Sequence, residues 1–165
     1  MRKQIYQTIT SRVLDLKKLS KKEREFLNII QHRYEKEPEW SQFSSFWTTE
    51  FQRVGLDRDS CTYRICRDLE ARLGIAQGTL APPDYRDYLA DRIEEQYGSR
   101  YRFCKETGID PGHLSRVFAT RSDLSLGALQ RILEKLHLSL VIQGEETLAE
   151  QVSPASALHA LASVA

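Results

Sequence analysis

Apolar residues recur at spacings of three and four through most of this chain, the period of an α-helix that buries one face. Ile5, Ile9, Val13 and Leu16 predict a helix over residues 2–18. Ser20, with Glu23 three residues on, forms a capping box and opens a helix carrying Phe26, Leu27, Ile30 and Tyr34, which stops before Pro38. Trp40, Phe43, Trp47, Phe51 and Val54 make an aromatic stripe on the next, closed by Gly55 as a left-handed cap. A further helix starts at Asp59 or Ser60. It carries Tyr63, Cys66, Leu69 and Leu73 on one face, with Ile65 beside it, and Gly74 is its expected terminator.

The pattern breaks at "GIAQGTLAPPD", where two glycines and two prolines mark a linker. The chain therefore divides into an N-terminal helical region (1–74), a linker (75–83), a second domain (84–144) and a tail (145–165). Helical periodicity resumes at "DYRDYLADRIEEQYG", and three more helices follow. Ser99 caps one over about residues 100–107. Asp110 caps the next, with Pro111 at its first position, to about Ala119. Ser125 caps the last, with Leu126, Leu129, Ile132, Leu133 and Leu136 inward. "LSLVIQ" predicts a short strand. The tail is Ala-rich with one proline, either a marginal helix after Ser153 or flexible and disordered. The fold class is thus mainly α, a helical bundle followed by a small helical domain.

Hydrophobic residues make up 41% and charged residues 28%, which suits a globular protein and excludes a disordered one. No apolar run has the length of a bilayer span, and "MRKQIYQTITSRV" lacks an apolar signal core, so neither membrane nor secretion is expected. Cys61, Cys66 and Cys104 show no metal-type pairing, as expected of reduced thiols in a cytoplasmic protein. The net charge of +1 is uninformative, but its distribution is not. From Met1 to Arg33 nine cations face Asp15, Glu23 and Glu25, and from Arg100 to Arg121 five face Glu106 and Asp110. Such runs are either solvated surface or an electrostatic footprint for phosphates.

The most informative stretch is "RYRFCKETGIDPGHLSRVFAT". Cys104 lies four residues before Gly108, Ile109 follows it, and Leu114 and Val117 lie six and nine after it. The small residue permits close helix approach, the glycine makes the turn, and the apolar trio fixes the angle. Together with "LSLGALQRIL", this pattern resembles the helix-turn-helix of the Cro and lambda-repressor-like (XRE-type) family over about residues 84–137. Two positions depart from the family: Cys104 replaces a frequent alanine, and Thr120 replaces a frequent glycine after the recognition helix.

The resemblance implies a five-helix DNA-binding domain, a cytoplasmic, nucleoid-associated homodimer and a double-stranded DNA operator, read from the major groove. The groove-facing positions are then Pro111, Gly112, His113, Ser115 and Arg116. Arg116 is the candidate for guanine readout. His113 either donates to a base or phosphate or is an ordinary exposed helix residue, and Ser115 bonds a base or phosphate. Arg100, Tyr101 and Arg102 start the first motif helix, where amides and dipole favour phosphate, and Arg121 and Ser122 are phosphate contacts beyond the recognition helix. The alternative is a helical hairpin that never touches DNA.

"EFQRVGLDRDSCTYRICRDLE" echoes this motif, but one interval is longer and Thr62 stands where an aliphatic residue belongs. It reads either as a degenerate second copy or as part of a bundle built on the aromatic stripe, which is core or a partner surface. There is no phosphate loop, nucleophile elbow or acidic metal cluster, and His32, His113, His137 and His159 are dispersed, so no enzyme, cofactor or metal is expected. Three functions follow: a dimeric transcriptional repressor, the antitoxin of a toxin–antitoxin module whose N-terminal region binds a protein toxin, or a purely structural module.

Overall fold

The computed structural model describes residues 4–119, 122–141 and Leu161. Among them the chain is mainly helical, with seven α-helices and one two-stranded antiparallel sheet. It divides into two compact units: Met1–Pro82 with Gly144–Ala165, and Pro83–Gln143.

The first unit opens on a hairpin, not on the predicted helix. Strands β1 (Ile5–Gln7) and β2 (Val13–Asp15) pair Tyr6 with Leu14, and a single 3-10 turn (Leu16–Lys18) follows. Tyr6 and Leu14 are the inward pair, while Ile5 and Val13, half of the supposed helical stripe, face solvent. Two local features favour the hairpin. The segment is rich in β-branched residues, and Ser11 adopts a left-handed φ of 66° that no helix tolerates. The deciding contacts are distant in sequence. Asp68 accepts from the Tyr6 hydroxyl at 2.5 Å and the Ile9 amide at 2.6 Å, and Arg72 donates to the Gln7 carbonyl at 3.1 Å.

Helices α1 (Lys21–Tyr34), α2 (Trp40–Val54) and α3 (Cys61–Ala76) complete this unit. The Ser20–Glu23 capping box opens α1, Ser60 caps α3, and Gly55 ends α2 in the left-handed region. The aromatic stripe is core: Phe43, Trp47 and Phe51 are buried, with edge-to-face pairs such as Trp47–Tyr63 at 5.6 Å. Glu70 accepts from Trp47 Nε1 at 3.0 Å, and Thr62, buried where an aliphatic residue was expected, donates to Glu23 at 3.0 Å. Gly74 does not terminate α3 but lies buried inside it. A Cβ there would sit 2.7 Å from Leu80 Cδ1 and 2.9 Å from Trp40 Cδ1, so the glycine makes room for both. In the tail, expected to be either a marginal helix after Ser153 or flexible, Leu161 is helical and fully buried in this core.

The second unit holds four described helices where the resemblance implies five: α4 (Tyr85–Tyr97), α5 (Arg100–Thr107), α6 (Pro111–Phe118) and α7 (Leu126–Lys135). Leu89, Ile93, Phe103, Leu114, Ile132 and Leu136 form its core. Leu126, expected inward, is 62% exposed, because it starts α7 before the buried face begins. The predicted strand is not formed over the described residues 138–141. Leu140 and Val141 are exposed there, with no neighbouring strand among the described residues, and Ile142 and Gln143 lie outside them. The Arg86 guanidinium joins the start of α4 to the segment before α7, bonding Asp84 at 2.8 Å and Asp123 at 2.5 Å. At the other end, Gln96 and Tyr97 donate to the Leu136 and Lys135 carbonyls.

Candidate nucleic-acid interface

The candidate site is built on α5, α6 and the turn between them. Ser99 accepts from the Arg102 amide at 3.2 Å and opens α5. Gly108 ends it with φ 73° and ψ 12°, and its N–H donates to the Cys104 carbonyl at 2.9 Å. A left-handed φ strains any residue with a Cβ, so glycine belongs at this position. Ile109 is half-buried against the core, as a residue plugging the space between the helices should be. The Asp110 carboxylate accepts from the Gly112 and His113 amides at 3.2 and 2.8 Å and opens α6. These bonds, first that from His113 and then that from Gly112, hold its pKa below the ordinary carboxylate value, helped by the nearby charge of Arg116.

The two helices bury one face each. Phe103, Cys104, Leu114 and Val117 are buried, and Phe118 is half-buried. Burial, and secondarily the charge of Asp110, raises the Cys104 thiol pKa, which leaves it a small hydrophobe. The opposite face of α6 presents Pro111, Gly112, Ser115 and Arg116 to solvent, with His113 half-buried at its edge. The Arg116 side chain makes no hydrogen bond or ion pair among the described residues, and its charge lies near the Asp110 carboxylate. Its Nη1 would be 3.7 Å from a Cβ at Gly112, so the guanidinium lies over the first turn of the helix. The same Cβ would lie 3.6 and 3.7 Å from the two Asp110 carboxylate oxygens, so Gly112 leaves the Arg116 guanidinium and the Asp110 carboxylate on either side of an open spot.

The predicted phosphate contacts are less uniform. Tyr101 is 73% exposed. Arg102 is already engaged, with Nε 2.6 Å from Glu106 across one helical turn. Arg100 sits 5.1 Å from the Phe118 ring centroid, joining the start of α5 to the end of α6 by a cation–π contact. The Ser122 hydroxyl is buried and without a hydrogen-bond partner among the described residues. Arg121, like Thr120, lies outside the described residues. Nothing in the sequence reading singled out Arg131 and Lys135 of α7. They line, with Arg116 and His113, a cavity of about 800 Å³ beside the turn. Their separation of four residues was the available signal, since it puts them on one side of α7. Among the described residues no group of three or more His, Cys, Asp or Glu is placed to hold a metal.

No protein-family model, no curated protein and no solved structure matches this chain. Among the described residues, no helix is long and apolar enough to cross a membrane.

Proposed function

We propose that this chain is a sequence-specific DNA-binding regulator of transcription, a dimeric repressor that lays α6 in the major groove. The observation that carries this reading is the division of α6. Leu114 and Val117 are buried, while Pro111, Gly112, Ser115 and Arg116 face outward and the Arg116 side chain makes no hydrogen bond or ion pair among the described residues. Side chains that read base edges must be exposed and held on a rigid element. Arg116 meets these conditions and can pair bidentately with guanine O6 and N7. The amides at the start of α5 then serve the phosphate backbone, and Ser115 and His113 serve either base or phosphate. The Gly108 turn and Asp110 cap set the direction in which α6 leaves α5, so they act on binding only through geometry.

The dimer follows from reach. An eight-residue α6 covers only a few base pairs, and specific binding by such helices uses two half-sites about 34–36 Å apart. Selection of bound sequences from random duplex DNA tests the proposal. It should yield a two-fold symmetric consensus with that spacing. Recovery of unenriched sequence would refute sequence-specific binding, and a single asymmetric half-site would refute the dimer.

A further inference from the structure

We infer that the cavity between the Gly108–Asp110 turn and α7 is a binding site for a small anion with an apolar body. Its volume, about 800 Å³, falls within the roughly 300–1,000 Å³ usual for small-molecule sites. Its apolar lining is Ile109, Ala128 and Ile132, supplied by the turn and by α7. Three cations, Arg116, Arg131 and Lys135, also line it, and none of them has a hydrogen bond or ion pair from its side chain among the described residues.

Two carboxylates share the lining, Asp110 and Glu134. Asp110 accepts from the Gly112 and His113 amides and stays ionised near Arg116, so three cations face two carboxylates. The balance is cationic, and an anion would gain charge-assisted bonds that the protein itself does not make. The apolar lining adds a second requirement. A bare phosphate leaves it wet, whereas an aromatic or short aliphatic body covers it. The concavity points the same way, because a duplex backbone is convex and polar and cannot cover such a lining. This inference does not rest on DNA binding.

The test is a titration of the 15N-labelled full chain with phenyl phosphate, followed by amide shifts. Saturable shifts should cluster at Gly108, Ile109, Ala128 and Ile132. Arg131→Ala and Lys135→Ala should each weaken binding by about tenfold, one charge-assisted bond apiece, and Glu134→Gln should tighten it. All three side chains are exposed, so unchanged amide shifts elsewhere will show that the variants fold. Inorganic phosphate and benzyl alcohol should each bind at least about tenfold more weakly than phenyl phosphate. No saturable shift by about 10 mM would overturn the inference. So would equal binding of inorganic phosphate, equal binding of benzyl alcohol, or indifference to all three substitutions. If Arg131→Ala and Lys135→Ala lower duplex affinity but leave phenyl phosphate binding unchanged, these cations serve DNA phosphates and the small-anion site is refuted.

Discussion

Two glycines show how different reasons for one residue type translate into different mutational costs. Gly108 has open space where a Cβ would go, so its requirement is purely the left-handed φ of 73°. Gly108→Val should destabilise the second unit by about 1–3 kcal/mol through backbone strain, and Gly108→Asn by clearly less, since Asn tolerates that region. Denaturant melts check this, and an unchanged midpoint for the valine variant would contradict it. Gly74 has ordinary helical backbone but no space. Gly74→Ala gains helix propensity yet must displace Leu80 and the Trp40 indole, for a net loss of about 1–3 kcal/mol. Adding Leu80→Ala should recover part of that loss, and failure to recover any would place the clash on Trp40 alone. The role of Gly108 was legible in the sequence, because "TGIDPG" packs a turn glycine, a cap and a first-position proline into six residues. That of Gly74 was not, because its constraint comes from a side chain beyond the helix end.

At the scale of elements, the caps were legible and the hairpin was not. Ser20, Ser60, Ser99, Asp110 and Ser125 each open the helix that local sequence predicts, because capping is a bond between near neighbours. The hairpin depends instead on Asp68 and Arg72, about sixty residues away. Their ion pair, Arg72 Nε to Asp68 Oδ2 at 2.7 Å, is buried on both sides. Asp68→Ala would remove the charge partner of the buried Arg72 guanidinium and the carboxylate that accepts from the Tyr6 hydroxyl and the Ile9 amide. The expected cost is about 3–5 kcal/mol, with faster hydrogen exchange across residues 5–15. Exchange unchanged there would show that the network does not hold the hairpin. The same burial sets a pH dependence. Tyr6, through burial and then the charge of Asp68, and Tyr34, through burial, have pKa values raised above the ordinary tyrosine value. A raised folded value favours the neutral form, so this contribution is complete below about pH 10 and is lost as pH rises from there through the folded values. Melts at about pH 8 and about pH 11 should show the fall, and Tyr6→Phe should flatten it.

At the scale of the whole molecule, the mainly helical class could be read from periodicity, whereas α3 runs on to Ala76, into the expected linker 75–83. The burial of Leu161 could not be read, because it is fixed by the core of the first unit and not by the Ala-rich sequence around it. Nor could the cavity beside α6, whose lining comes from residues up to twenty-eight apart in sequence. The α6 surface lies between these cases. Its buried face was legible as apolar spacing, while the freedom of Arg116, set against the engagement of Arg102 by Glu106, required coordinates. That contrast makes Arg116 the point where the DNA-binding account is most exposed to test. The decisive measurement is a salt titration of wild-type and Arg116→Ala protein on the selected duplex and on a scrambled one. The account predicts a loss of about 1–3 kcal/mol on the selected duplex, much less on the scrambled one, and relaxed preference at one base pair per half-site. Equal weakening on both duplexes would make Arg116 a phosphate anchor, and no salt-dependent binding of either duplex by the wild-type protein would contradict the account outright.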